Sequence, residues 1–315
     1  MFLSDRIGRR MKLQDLHVLM AVVQAGSMRK AAALLNTTQP SVSRSIAELE
    51  AAVGVRLLDR NPEGVELTEY GSALLDGGTA MFDDLRQAVK KIEFLADPEA
   101  GEVRIGSGHH HAASFVFVVV ERLARRHPRM VFHLTSENTT ELMESELYAR
   151  NVDLLIARKW GSISDDRLGF EHLFDDPNFV VAGNQHPLAR RRRIDAAELI
   201  NESWVLPPPE SPPGAAAVEA FRVSGLDYPR VTVFAILPEV RIRLVATGRF
   251  LTIFPNSVLA NSKLHSIIKV LPVKMTLPHI PTGIVTLKSR TLSPAARLFI
   301  EQAREVAKSL AANKP

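Results

Sequence analysis

The sequence predicts an α+β multidomain chain made of a compact helical unit, one long helix and a larger C-terminal α/β region. Three observations carry that prediction. From Leu13 to Leu57 apolar residues recur at helical spacing, with Gly and Asn only where helices should break. Thr68 to Ala96 contains no Pro and keeps heptad spacing through Leu74, Met81, Ala88 and Leu95, with Leu85 and Ile92 falling between. Beyond Asp97-Pro98-Glu99-Ala100-Gly101, which breaks the helix, short β-branched runs alternate with helical stretches, as in α/β proteins.

In the first unit Leu13, Leu16, Met20 and Val23 place an apolar stripe on a helix that stops at Gly26. Ser27 can cap a second helix, Met28 to Leu35, whose Ala31 and Ala32 allow a neighbour to approach closely. Asn36-Thr37-Thr38 forms a turn, and a third helix opens at Thr38-Gln39-Pro40, with Pro in the first turn where its missing N–H does no harm. On it Val42, Ile46 and Leu49 share the buried face, while Gln39, Ser41, Ser43, Arg44 and Ser45 lie opposite. Short hydroxyls let a helix sit deep in a major groove, and Gln and Arg can pair with base edges. Spacing alone supports a solvated helical hairpin as well as a DNA reader. Gly54, Arg60 and Pro62-Glu63-Gly64-Val65-Glu66-Leu67 predict a short turn between two strands, with Arg60 at its base. In the long helix Gly77-Gly78 interrupts the seam; glycine there costs about 1 kcal/mol relative to Ala, so this point is either weak or closely packed.

In the C-terminal region Glu102–Gly106, Val131–Thr135, Val152–Ala157, Phe179–Ala182 and Leu251–Phe254 read as strands, in mostly parallel sheets. Phe115–Arg126, Thr140–Arg150, Gly214–Val223, Pro238–Thr247 and Pro294–Leu310 read as helices. Pro207-Pro208-Pro209 and Pro212-Pro213 predict a stiff loop.

Composition narrows the function. The 315 residues suffice for two domains, and 46% apolar with 23% charged residues is ordinary globular composition. The strongest apolar run, Phe115 to Val120, falls far short of the roughly 20 residues of a membrane helix, so no membrane partner is expected. Cysteine is absent, which excludes disulfides, thiolate metal sites and cysteine nucleophiles. Residues 1–10 lack the apolar core of a secretory signal, so a cytoplasmic location is expected. The net charge is +4, but residues 1–68 hold nine Lys+Arg against seven Asp+Glu, only +2; any DNA recognition would rest on placed groups rather than a basic field. There is no G-x-S-x-G, H-E-x-x-H or P-loop sequence, so neither catalysis nor a cofactor is expected.

The segment from Met11 to Gly71 resembles the N-terminal domain of LysR-type transcriptional regulators. It carries AGS before the second helix, AA-x-LL-x-T-T-QP-SVSR-x-I-x-x-LE through the helix-turn-helix, and GVRLLDR followed by a wing and LT-x-x-G. Further on, VRIG, VDLLIAR, HPLA, the Gly248 loop and LSPAARLFI recur in the family's order, leaving only the first ten residues unmatched. The resemblance implies a winged helix-turn-helix over 11–68, a dimerisation linker helix over 69–97 and an effector-binding domain over 98–315. That domain would have the two-lobed type 2 periplasmic-binding fold, with lobe one at about 101–180 and 270–315 and lobe two at about 181–269.

For residues, the resemblance implies that Gln39, Pro40, Ser41, Ser43 and Arg44 read the major groove, while Ser27, Thr38, Arg60 and Thr68 contact phosphates. An effector cleft would use Gly108, His109, His110, Ser136, Asn138, Thr139, Arg158 and Phe250. Gly108 and Phe250 depart from the family, where many members have Ser and Gly respectively. The implied partners are double-stranded DNA, a small-molecule effector such as a sugar or organic acid, and further copies in a homodimer or homotetramer. The run His109-His110-His111 raises a metal alternative, but adjacent helical positions point about 100° apart, so three successive imidazoles do not easily meet one ion and no metal ligand is assigned. A solute-binding protein, or a metal sensor using His109-His111, is the competing class.

Overall fold

The computed structural model describes residues 11–61, 64–159, 165–260, 262–277 and 279–312. The chain divides into two compact units at Val89/Lys90, inside the long helix rather than at its end.

In the first unit α1 (Leu13–Ala25), α2 (Met28–Leu34) and α3 (Gln39–Val53) pack around Leu19, Val22, Ala31, Ile46 and Leu49, all buried. Each break has a local cause. Gly26 ends α1 and Gly54 ends α3, both in the left-handed region that glycine enters without steric cost. Strands β1 (Leu58–Asn61) and β2 (Gly64–Leu67) pair as an antiparallel hairpin. That hairpin is the expected wing, although Pro62 and Glu63 and the side chain of Arg60 lie outside the described residues. The Val65 N–H donates to the Gly26 carbonyl, and a Cβ on Gly64 would stand 2.7 Å from that same oxygen.

Helix α4 spans Glu69–Ala96. Its paired glycines have different roles. Gly77 faces open space, whereas a Cβ on Gly78 would come within 2.9 Å of the Leu16 side chain. The second glycine therefore marks a close packing point. The heptad seam stays uncovered, with Met81, Leu85, Val89, Ile92 and Leu95 exposed.

The second unit holds two five-stranded sheets. The first has the order β4-β3-β5-β12-β6, from β3 (Ala100–Ser107), β4 (Arg129–Ser136), β5 (Leu154–Arg158), β6 (Leu168–Asp176) and β12 (Ile280–Leu287). The second has the order β11-β7-β10-β8-β9, from β7 (Asn178–Gly183), β8 (Trp204–Leu206), β9 (Val231–Phe234), β10 (Leu251–Pro255) and β11 (Ile268–Val270). Both sheets are mixed rather than mostly parallel: β12 runs antiparallel to β5 and β6, and β7 antiparallel to β10 and β11. Where β12 pairs with β6 the register shifts between Thr282 and Gly283, skipping Leu173 of β6; Pro281 and Gly283 sit beside that shift, and both residue types work against reading the segment as a strand.

The lobe boundaries shift accordingly. β7 joins the second sheet, so the chain crosses at Pro177 and not after Val180. Leu271, Val273, Met275 and Leu277 pack in the second lobe's core, so the return crossing falls before β12 and later than residue 270. On the first sheet lie α5 (His109–His111), a π-helical stretch Ala112–Val116, α6 (Phe117–Arg126), α7 (Thr139–Glu141), a second π-helical stretch Leu142–Leu147 and, at the end, α11 (Pro294–Ala312). The second lobe carries α8 (Pro212–Val223), α9 (Pro238–Ala246) and α10 (Asn256–Leu259).

Candidate functional site

Two places in the chain gather groups able to do chemistry. The first is the exposed face of α3. Thr38 sits at its N-cap and accepts the Ser41 N–H at 3.4 Å, and Pro40 occupies the first turn. Val42, Ile46 and Leu49 are buried, which turns Gln39, Pro40, Ser41 and Arg44 outward, with Ser43 half-buried beside them. Ser27 caps α2 by accepting the Lys30 N–H at 3.2 Å. Thr68 is different: its hydroxyl donates to the Arg56 carbonyl at 2.8 Å and accepts the Gly71 N–H at 3.0 Å. That hydroxyl is committed to starting α4, which disfavours the phosphate contact expected of it.

Arg44 folds back along α3, its Nε 3.0 Å from Glu48 Oε1, while Lys12 Nζ lies 3.2 Å from Glu48 Oε2. Lys12 and then Arg44 hold the Glu48 carboxyl below its usual range. With 82% of the Arg44 side chain exposed, such a pair is weak, and the guanidinium can leave it for a stronger acceptor. Residues 11–68 carry six Lys+Arg and six Asp+Glu, so this segment offers placed cations rather than a net positive field.

The second place is a cavity of about 480 Å³ between the two lobes of the C-terminal unit. Lobe one contributes Gly108, His109, His110, Asn138, Thr139 and Arg158 to it. All six are among the eight residues expected there. The other two are placed elsewhere. Ser136 stands behind His109, its Oγ 3.0 Å from Nδ1, and so positions that ring instead of lining the space. Phe250 packs against the second lobe's core beside Val245 and Phe254, consistent with a bulky apolar ring at a loop next to β10. The wall also includes Pro207 and, where a loop was expected, Pro212 and Pro213 in the first turn of α8; Ser211 caps that helix and donates to the Pro208 carbonyl at 2.6 Å.

The floor holds charges whose burial the sequence did not reveal. Arg158, at the end of β5, is only 5% exposed; its Nη2 donates to the Asp176 carbonyl at 2.7 Å and to Asn178 Oδ1 at 3.3 Å, tying it to the crossing between lobes. Arg241 on α9 is 6% exposed; its Nη1 donates to the Ile253 carbonyl at 3.2 Å and its guanidinium lies 4.5 Å from the Phe254 ring centre. Burial pushes the Arg241 pKa down to about 10. At the rim stand Glu137 and Glu210, both exposed.

Behind the floor, Asp176 accepts the Ser257 N–H at 2.8 Å and the Ser257 hydroxyl at 2.6 Å, and lies 3.7 Å from His111 Nε2. Burial pushes this carboxyl up, but His111, Arg158 and Ser257 together keep it below the usual range. Burial drives both His110 and His111 toward the neutral form; for His110 the positive neighbours His111, Arg158 and Arg241 add to the effect.

His110, His111 and Asp176 bring ligand atoms within 4.8 Å of one another, a metal-like grouping among the described residues. His109 takes no part, so the triple histidine does not act as a unit. The carboxylate of this group already accepts two hydrogen bonds, and two buried arginines stand close by, so a dication is electrostatically disfavoured.

No helix among the described residues is long and apolar enough to cross a membrane. Residues 13–72 match the family described as bacterial regulatory helix-turn-helix protein, lysR family, and residues 96–308 match the LysR substrate binding domain. The HTH-type transcriptional regulator GbpR of Azospirillum brasilense is 26% identical, with 94% of this chain and 86% of that protein covered. The Hca operon transcriptional activator HcaR of Escherichia coli is 28% identical, with coverage of 94% and 98%. Among solved structures, a full-length OxyR variant from Pseudomonas aeruginosa is similar with a TM-score of 0.66 at 20% identity, covering 93% of this chain and 98% of that one. Full-length CbnR complexed with its target DNA is similar with a TM-score of 0.55 at 21% identity, covering 94% and 100%. These structural likenesses speak to the fold.

Proposed function

The chain belongs to the LysR family, as a DNA-binding transcriptional regulator with an effector-binding domain, and we propose that α3 reads its operator while the cleft takes a small molecule that biases DNA binding. The observation that carries this is the pairing, in one chain, of an exposed polar helix face with a lobed unit whose cavity is lined from both sides.

On DNA, Gln39 and Arg44 address base edges, with Ser41 and Ser43 allowing close approach and Pro40 fixing the entry of α3. Thr38, Ser27 and the Arg60 wing meet the flanking phosphates. With few cations beside α3, one winged unit neutralises few phosphates and obtains little affinity from counterion release, which supports pairing of two units on a dyad-symmetric site. The exposed seam of α4, from Met81 to Leu95, is suited to join two copies in a homodimer, and two dimers give a homotetramer.

The effector enters between the lobes, where Gly108, His109, His110, Asn138, Thr139 and Arg158 meet residues of lobe two. The closed form is selected by the ligand because only closure brings both sets into contact with it. Closure then repacks the subunits and alters the spacing of the winged units and the bend of the DNA. Footprinting on the DNA upstream of the protein's own coding region, with and without candidate metabolites, tests this. A dyad-symmetric protected site whose pattern changes with one compound is expected; absence of specific protection contradicts it.

A further inference from the structure

Among the buried polar atoms of residues lining the cleft, Arg241 Nε and His110 Nε2 have no hydrogen-bond partner among the described residues. Arg241 also makes no ion pair among the described residues. The acids near it, Glu239 on its own helix and Glu210 and Glu137 at the rim, are all exposed. A buried guanidinium without a carboxylate is costly, and an anion arriving from outside removes that cost. Arg158 adds a second positive charge from the opposite lobe. The nearby buried acid, Asp176, is occupied by Ser257 and His111. The floor thus has an excess of positive charge and the rim holds acceptors and amide donors.

Taking the cleft as the effector site, we infer that its ligand is a small hydroxylated carboxylate, clamped by the Nε–Nη2 edge of Arg241 with a hydroxyl on His110 Nε2. Nη1 is already spent on Ile253, which leaves that edge of the guanidinium for the two-point contact that a planar carboxylate matches. A neutral His110 ring, the form its surroundings impose, can donate or accept there according to its tautomer. Engagement of Arg241 from lobe two and Arg158 from lobe one by one anion also gives closure an electrostatic drive.

The test is calorimetric titration of the full chain with D-gluconate, L-malate and succinate against D-glucose as the uncharged counterpart, each up to roughly 10 mM, a range that captures weak binding. At least one hydroxy acid should bind and D-glucose should not. In Arg241→Gln that binding should weaken roughly tenfold to a hundredfold, as for loss of a charged hydrogen bond. Arg241→Lys, which keeps the charge and loses the fork, should fall between, and its circular dichroism separates a lost clamp from a lost fold. No binding by any acid, or glucose binding as tightly as gluconate, overturns the inference. Acid binding that survives Arg241→Gln but is abolished by a cleft-filling Gly108→Trp overturns it while leaving the cleft as the effector site. Acid binding untouched by both variants contradicts the cleft reading as well.

Discussion

On α3 the side chain of Arg44 is 82% exposed and shares Glu48 with Lys12, whereas on the cleft floor Arg158 and Arg241 are 5% and 6% exposed and rest on carbonyls, an amide and an aromatic ring. The same side chain is therefore held in two ways. At the surface water solvates it, the ion pair is weak, and it can swing to a base or phosphate without a large penalty. In the cleft it has already lost its water, so its field is strong and fixed before any ligand arrives. The first arrangement suits scanning many DNA sequences, the second suits selecting one class of small anion.

The largest effect that would sharpen this contrast comes from breaking the buried network. Asp176→Ala removes the carboxylate facing His111 and Ser257 and should cost about 3–5 kcal/mol, as for one partner of a buried pair; urea unfolding of the C-terminal unit would show it. A change below about 1 kcal/mol there would mean the network is solvated after all. Arg44→Ala should weaken specific operator binding by about 1–3 kcal/mol, the worth of one paired base contact, with an unchanged melting temperature, since its exposed pair with Glu48 is weak; a gel-shift titration with unaltered operator affinity would remove it from the proposed reading face.

Acid should act on the cleft next. Burial lowers the pKa of His110 and His111 in the folded chain, so below the unfolded value of about 6.5 the unfolded chain binds protons that the native one does not. Their contribution to stability is present above that pH and is lost as the pH falls toward the folded values. Thermal melts from pH 7.5 to 5 should fall by roughly 2–4 °C for each kcal/mol lost, and the double variant His110→Asn, His111→Asn should flatten the curve. A wild-type melt independent of pH in that window would contradict neutral buried rings. The smallest effect is expected from Glu48→Gln, which frees Arg44 at the surface. Operator affinity should rise by no more than about threefold, with no measurable change in melting temperature.

The contrast also explains what the sequence could convey. The α3 face was legible because helical period and capping are local: Val42, Ile46 and Leu49 define the buried side, and Thr38-Gln39-Pro40 marks the start. The heptad of α4 was equally plain. The cleft was only half legible. Gly108 to His110, Asn138, Thr139 and Arg158 came from the family resemblance, and the structure puts them at or just beyond the ends of β3, β4 and β5, where α/β folds place ligands. Arg241 had no such mark: in PEVRIRLVA it is one of two arginines on a helix, and only tertiary packing buries one and leaves the other at the surface. Asp176 and Asn178 acquire their places from the crossing at Pro177, which depends on β7 joining the far sheet. β12 is not legible in the sequence because Pro281 and Gly283 contradict strand propensity, yet Gly283 is required where a Cβ would stand 2.2 Å from the Glu171 carbonyl.

The most direct measurement of the central claim, that an anion held in the cleft alters how α3 sits on DNA, is a nuclease footprint of the full chain on its own upstream DNA. It should be taken with and without the hydroxy acid that calorimetry identifies, for the wild type and for Arg241→Gln. A dyad-symmetric protected site is expected, with hypersensitive bands that change with the acid in the wild type and do not respond to it in the variant. A footprint that ignores the acid in the wild type, or that responds equally in Arg241→Gln, would contradict it.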